Sequence, residues 1–77
     1  MLISYAEIRD RIYELARQHD LRVDWAETTR SARLVLLHDR DQIVVGRASV
    51  PVRPVTARAV LELQRALEHL FGKEWLK

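Results

Sequence analysis

Apolar residues recur at helical spacing towards both ends of the chain and at strand spacing between them. From residue 4 to 19, Tyr5, Ile8, Ile12 and Leu15, with Ala16 alongside, return every three or four positions, which lays one apolar stripe along an amphipathic helix. Ser4-Tyr5-Ala6-Glu7 has the form of a capping box, and Ile3 and Ile8 are spaced as a hydrophobic staple, so the helix is predicted to begin at Tyr5 and to run to about residue 19. A second stripe, Val60, Leu63, Leu67 and Leu70, is flanked by Ala59, Ala66 and Phe71. Pro54 and the N-capping Thr56 announce its start, and Gly72, free to take a positive φ, marks its end; a helix over 57–71 follows.

The middle of the chain alternates with period two. Leu21, Val23 and Trp25 interleave with Arg22 and Asp24, as in a strand with one wet face. Leu34-Val35-Leu36-Leu37 and Ile43-Val44-Val45 supply two more strands, separated by the polar turn Glu27–Ser31 and by a hairpin tip at Asp39-Arg40-Asp41. The third strand runs into Val50-Pro51-Val52-Arg53-Pro54, where prolines lack the N–H that a ladder needs and so end the pairing. The expectation is one α+β domain over residues 1–77: a helix, a three-stranded antiparallel meander and a second helix. With 77 residues, 48% of them hydrophobic, the chain can bury one modest core and little beyond it.

Strands two and three are apolar on both faces, whereas a sheet with both helices on one side should turn its other side to water. A hairpin loop of two or four residues points Leu34, Leu36, Ile43 and Val45 one way and Val35, Leu37 and Val44 the other. A loop of three aligns Val35, Leu37, Ile43 and Val45 with Arg33 and Arg47. Either register leaves an apolar patch. It is covered if the helices straddle the sheet or if Trp75-Leu76 folds back over it, and otherwise it is an interface. The exposed face is expected to centre on Val35 and Leu37, rimmed by Arg22, Arg33 and Arg47.

Charge sharpens that expectation. The formal net charge of +2 is unevenly spread: Arg22, Arg30, Arg33, Arg40, Arg47, Arg53 and Arg58 face only Asp24, Glu27, Asp39 and Asp41 between residues 22 and 58, an excess of three, all from arginine. Arginine presents a planar, multidentate donor to carboxylate or phosphate. Catalytic chemistry is thin by comparison. His38, Asp39 and Asp41 gather at a hairpin tip that reads as a solvated turn, and His19 and His69 fall at helix-face boundaries. Trp25 and Trp75 read as core and core-edge residues. No Ser or Thr is paired with a base in a recognisable pattern, and two glycines cannot build a phosphate cradle. No catalytic residue, metal or cofactor is therefore expected. The chain has no cysteine, no signal-like segment and no apolar run near the roughly 20 residues of a membrane span, so a cytoplasmic location and no membrane partner are expected.

The order helix, three strands, helix is similar in outline to double-stranded-RNA-binding domains and to HicA-type mRNA interferase toxins. The similarity covers element order and no motif. Those toxins carry a histidine preceded by glycine or serine in the sheet region, whereas His38 follows Leu37. The RNA-binding domains open their second helix with a basic cluster, whereas this one opens Thr56-Ala57-Arg58. Element order alone carries no activity over. The function expected is a non-catalytic protein-binding module, docking a partner or a second copy through its sheet face and Arg22, Arg33, Val35, Leu37, Arg47 and Arg53. Its format, small and without motif or cofactor, resembles that of phage or mobile-element inhibitors such as anti-CRISPR proteins. The alternative is nucleic-acid binding through the arginine excess of residues 22–58.

Overall fold

The computed structural model describes residues 4–76. Helix α1 (Tyr5–Gln18) starts where the capping box places it. The Ser4 Oγ accepts the Glu7 N–H at 3.1 Å, and the hydroxyl donates to the Glu7 carboxylate at 2.9 Å, so the two side chains close on each other over the first turn. The staple expected between Ile3 and Ile8 involves a residue outside the described ones. Ile8, Ile12, Leu15 and Ala16 are buried, as the stripe requires. The helix ends in a Schellman-type turn with Asp20 at φ +57°: Leu21 N–H bonds back to the Ala16 carbonyl at 2.8 Å, and the chain leaves directly into the sheet.

Three strands follow, β1 (Arg22–Thr28), β2 (Ala32–His38) and β3 (Val44–Pro51), in one antiparallel sheet of order β1-β2-β3. Cross-strand partners share a face. Val23 with Leu37, Trp25 with Val35, Leu37 with Gly46, Val35 with Ala48 and Arg33 with Val50 therefore line one side. Both helical segments pack on that side: Arg33 meets Tyr5 of α1, and a Cβ placed on Gly46 would meet Leu67 and Leu70. With a shortest Cα extent of 17 Å, the domain has two layers, helices over sheet.

The second helical region departs from the expected unbroken 57–71. Helix α2 (Ala57–Ala66), capped by the Thr56 hydroxyl on the Ala59 N–H at 3.1 Å, stops at Leu67, and a single turn, α3 (Glu68–Phe71), follows. That turn brings His69 Nε2 to 2.9 Å from the Val45 carbonyl and Leu70 against Gly46, so it closes onto β3. Gly72 takes the positive φ of +88° that its position called for. Trp75 and Leu76 do fold back, but into the core and not over the sheet's far face. The Trp75 indole donates to the Gln64 carbonyl of α2 at 2.8 Å, and Arg11 of α1 donates to the Trp75 carbonyl at 2.9 Å, so the tail ties the two helices together.

Ile12 and Leu63 sit fully buried at the middle of their helices. Replacing either by alanine is expected to cost about 2–5 kcal/mol, read as a fall in the urea midpoint at unchanged slope. Gly46→Val should also destabilise, by about 1–3 kcal/mol, because its side chain enters space held by Leu70 and Leu67.

Candidate functional site

Which residues face away from the helices is decided at the β2–β3 hairpin. Asp39 and Ile43 close a three-residue loop, Arg40-Asp41-Gln42, with Gln42 at φ +65°. Asp39 Oδ1 accepts the N–H groups of Asp41 at 2.8 Å and Ile43 at 3.1 Å, so this carboxylate is spent on holding the turn. Continued without interruption, that loop pairs Leu37 with Val45 and Val35 with Arg47. The ladder instead pairs His38 with Val44 and Leu37 with Gly46, leaving Val45 as an extra, bulged residue. One inserted residue flips everything beyond it. Gly46 and Ala48 turn towards the helices, and Arg47, opposite Leu36, turns away from them.

Val35 and Leu37, expected at the centre of the exposed face, are at its opposite: both are 0% exposed, beneath the helices. The reason is the bulge together with helices stacked on one side. Arg33 shares their face and rim, where its guanidinium donates to the Tyr5 hydroxyl at 3.0 Å and lies over the Tyr5 ring at 5.1 Å. Arg53 is exposed in the connector between β3 and α2, off the sheet. Of the six residues named from the sequence, only Arg22 and Arg47 occupy the open face.

The open face carries a central row from β2: Leu34, Leu36 and His38. Beside it stand Arg22 opposite His38 and Asp24 opposite Leu36 on β1, and Val44 opposite His38, Arg47 opposite Leu36 and Ser49 opposite Leu34 on β3. Leu34 and Leu36 are half-buried yet do not join the hydrophobic core cluster, and Val44 is 45% exposed. Glu27, Thr29, Ala32, Arg33, Leu34, Arg47 and Ser49 border a shallow depression of about 250 Å³ at one end. The result is an apolar strip of Leu34, Leu36 and Val44 between arginines.

Polar geometry on this face is loose. Arg22 Nη2 lies 3.5 Å from Asp24 Oδ2, and His38 Nδ1 lies 4.0 Å from the same oxygen, too long for a hydrogen bond. His38 Nδ1 is buried and has no hydrogen-bond partner. Among the described residues no hydroxyl is hydrogen-bonded to it, and no three His, Asp or Glu side chains converge as a metal site. Trp25 packs at the core margin on the helix side, its indole donating to the Tyr13 hydroxyl at 2.8 Å.

Compared with protein-family profiles, curated proteins and solved structures, the chain matches none. The element order expected from the sequence is present, and the geometry of the open face is what bears on function.

Sequence reasoning missed Leu34 and Leu36 because period-two alternation gives two faces without saying which is covered. Gly46 was the available signal: a glycine inside a strand marks a bulge or a close approach, and here it marks both. Leu37→Glu should therefore abolish folding, since it buries an unpaired charge at a cost of about 4 kcal/mol or more. Leu36→Glu should leave the far-UV circular dichroism intact and lower the melting temperature only slightly. A folded Leu37→Glu together with an unfolded Leu36→Glu would reverse the assignment of faces.

Proposed function

We propose that the protein is a non-catalytic binding module that docks a protein partner through the open face of its sheet. The observation that carries this reading is the Leu34–Leu36–Val44 strip, which lies outside the core cluster of the described residues and has Arg22 and Arg47 at its margins. An apolar centre with arginine at the rim suits a protein surface that offers carboxylates around an apolar contact. Such a module inhibits or recruits by occupying a surface, the format of small phage and mobile-element inhibitors such as anti-CRISPR proteins, and it needs neither cofactor nor reactive group.

Nucleic-acid binding is the weaker reading, because the arginine excess is dispersed. Arg33 is engaged with Tyr5 on the helix side and Arg53 lies on the connector, which leaves two arginines on the open face where the sequence suggested four. Two phosphate contacts give a log–log salt slope of about 2 on duplex DNA, far below that of a dedicated binder.

Affinity capture from the native host, with wild type beside Leu36→Glu and Arg47→Glu, tests the proposal. A protein retained by wild type and lost by both variants is expected, with affinity changing only a few-fold as salt rises from about 0.05 to 0.5 M, because apolar contact is barely screened. Sub-micromolar binding to RNA or DNA at about 0.15 M salt, abolished by Arg22→Ala with Arg47→Ala, would replace this reading with the nucleic-acid one.

A further inference from the structure

The two edges of the sheet are treated differently. On the β3 edge, His69 of α3 meets the Val45 carbonyl at 2.9 Å. The β1 edge is bare: among the described residues, the backbone of Arg22–Thr28 makes its ladder to β2 alone, and no element lies along its outer side. A seven-residue strand with one row of unpaired N–H and C=O groups is a template for another strand. Beside it runs a groove of about 410 Å³ between α1 and β1, lined by Tyr13, Ala16, Arg17, Leu21, Arg22 and Val23.

We infer that this edge pairs with the same edge of a second copy, antiparallel about a two-fold axis through Val23, joining two three-stranded sheets into one of six strands. The charge pattern selects both occupant and register. Centred on Val23, the pairing sets Arg22 opposite Asp24 of the second copy and Asp24 opposite Arg22 of the second copy, two reciprocal ion pairs on the open face, where both side chains are 57% exposed. Val23 meets its own copy, and Leu21 meets Trp25, all on the helix side, where these residues are half-buried in the monomer and Leu21 and Val23 border the groove. Centring on Arg22 or on Asp24 sets like charges face to face. Centring on Trp25 brings the irregular stretch between Trp25 and Thr28 into the ladder and leaves both charges unmatched. Among the registers centred from Arg22 to Trp25, the Val23 register alone is self-complementary, which is what an isologous interface requires. The assembly would place two open faces side by side on one continuous sheet.

Charge reversal tests this without any partner protein. In sedimentation equilibrium of the full chain, wild type should show a concentration-dependent monomer–dimer equilibrium. Arg22→Asp and Asp24→Arg should each raise the dissociation constant about tenfold or more, because every reciprocal pair becomes a like-charge pair. The double variant Arg22→Asp/Asp24→Arg should return to within about threefold of wild type, since the swapped pattern is again self-complementary. Both positions are exposed, so circular dichroism should stay native in all three. A monomer at every concentration up to about 1 mM, a dimer unmoved by both single reversals, or a double variant no tighter than the singles would each overturn the inference.

Discussion

The extra residue at Val45 governs what the rest of the molecule does with its sheet. The strands of a meander have no freedom to choose faces once their register is set, because the side-chain period is two and a shift of one residue inverts every position beyond it. With the bulge, glycine and alanine at 46 and 48 lie under the helices and an arginine at 47 lies on the far side. Without it, Arg47 would sit opposite Val35 in the core. The desolvation of an unpaired guanidinium there far exceeds the small cost of one unpaired ladder position, so burial enforces the bulge. Gly46 completes the arrangement by letting Leu67 and Leu70 approach the backbone of β3.

From that register follows a two-layer domain with all of its helical mass on one side. Such a domain is economical in chain length but thin, and residues 75 and 76 help to close it: Trp75 and Leu76 are buried, and Trp75 hydrogen-bonds to both α1 and α2. The same economy leaves one sheet face and one sheet edge uncovered. Among the described residues, Leu34 and Leu36 on that face lie outside the core cluster, and β1 has no strand neighbour on its outer side. The regions available for recognition are thus what a single helical layer cannot reach.

Much of the fold was legible in the sequence because it rests on local signals that agree with one another. The capping box at Ser4, the N-cap at Thr56, Pro51 as the last residue of β3 and the glycine at 72 each mark a boundary by backbone chemistry, independent of what packs against what. Other boundaries differ: β1 runs on through Glu27 and Thr28, which read as turn, and at Leu67 the second helix breaks within a periodic stretch that reads as continuous. No propensity marks it. The break lies where the chain meets the β3 edge, a tertiary circumstance. The open face was not legible as a set: the sequence reading put Arg22 and Arg47 around Val35 and Leu37, whereas the register puts both arginines on the opposite face, with Leu34 and Leu36.

The sequence by itself determined the elements, their order, the one-sided stripes of both helices and the presence of more apolar strand surface than one layer of helices can cover. These are properties of spacing and of caps, which act within a few residues. Only the tertiary structure decided which surface was left over. That outcome depends on a bulge whose position is set by competition between burying Arg47 and losing one ladder pair, on both helices taking the same side, and on a tail that joins the core and leaves the open face bare. Each is a contest between parts of the chain far apart in sequence, and local pattern does not contain its result.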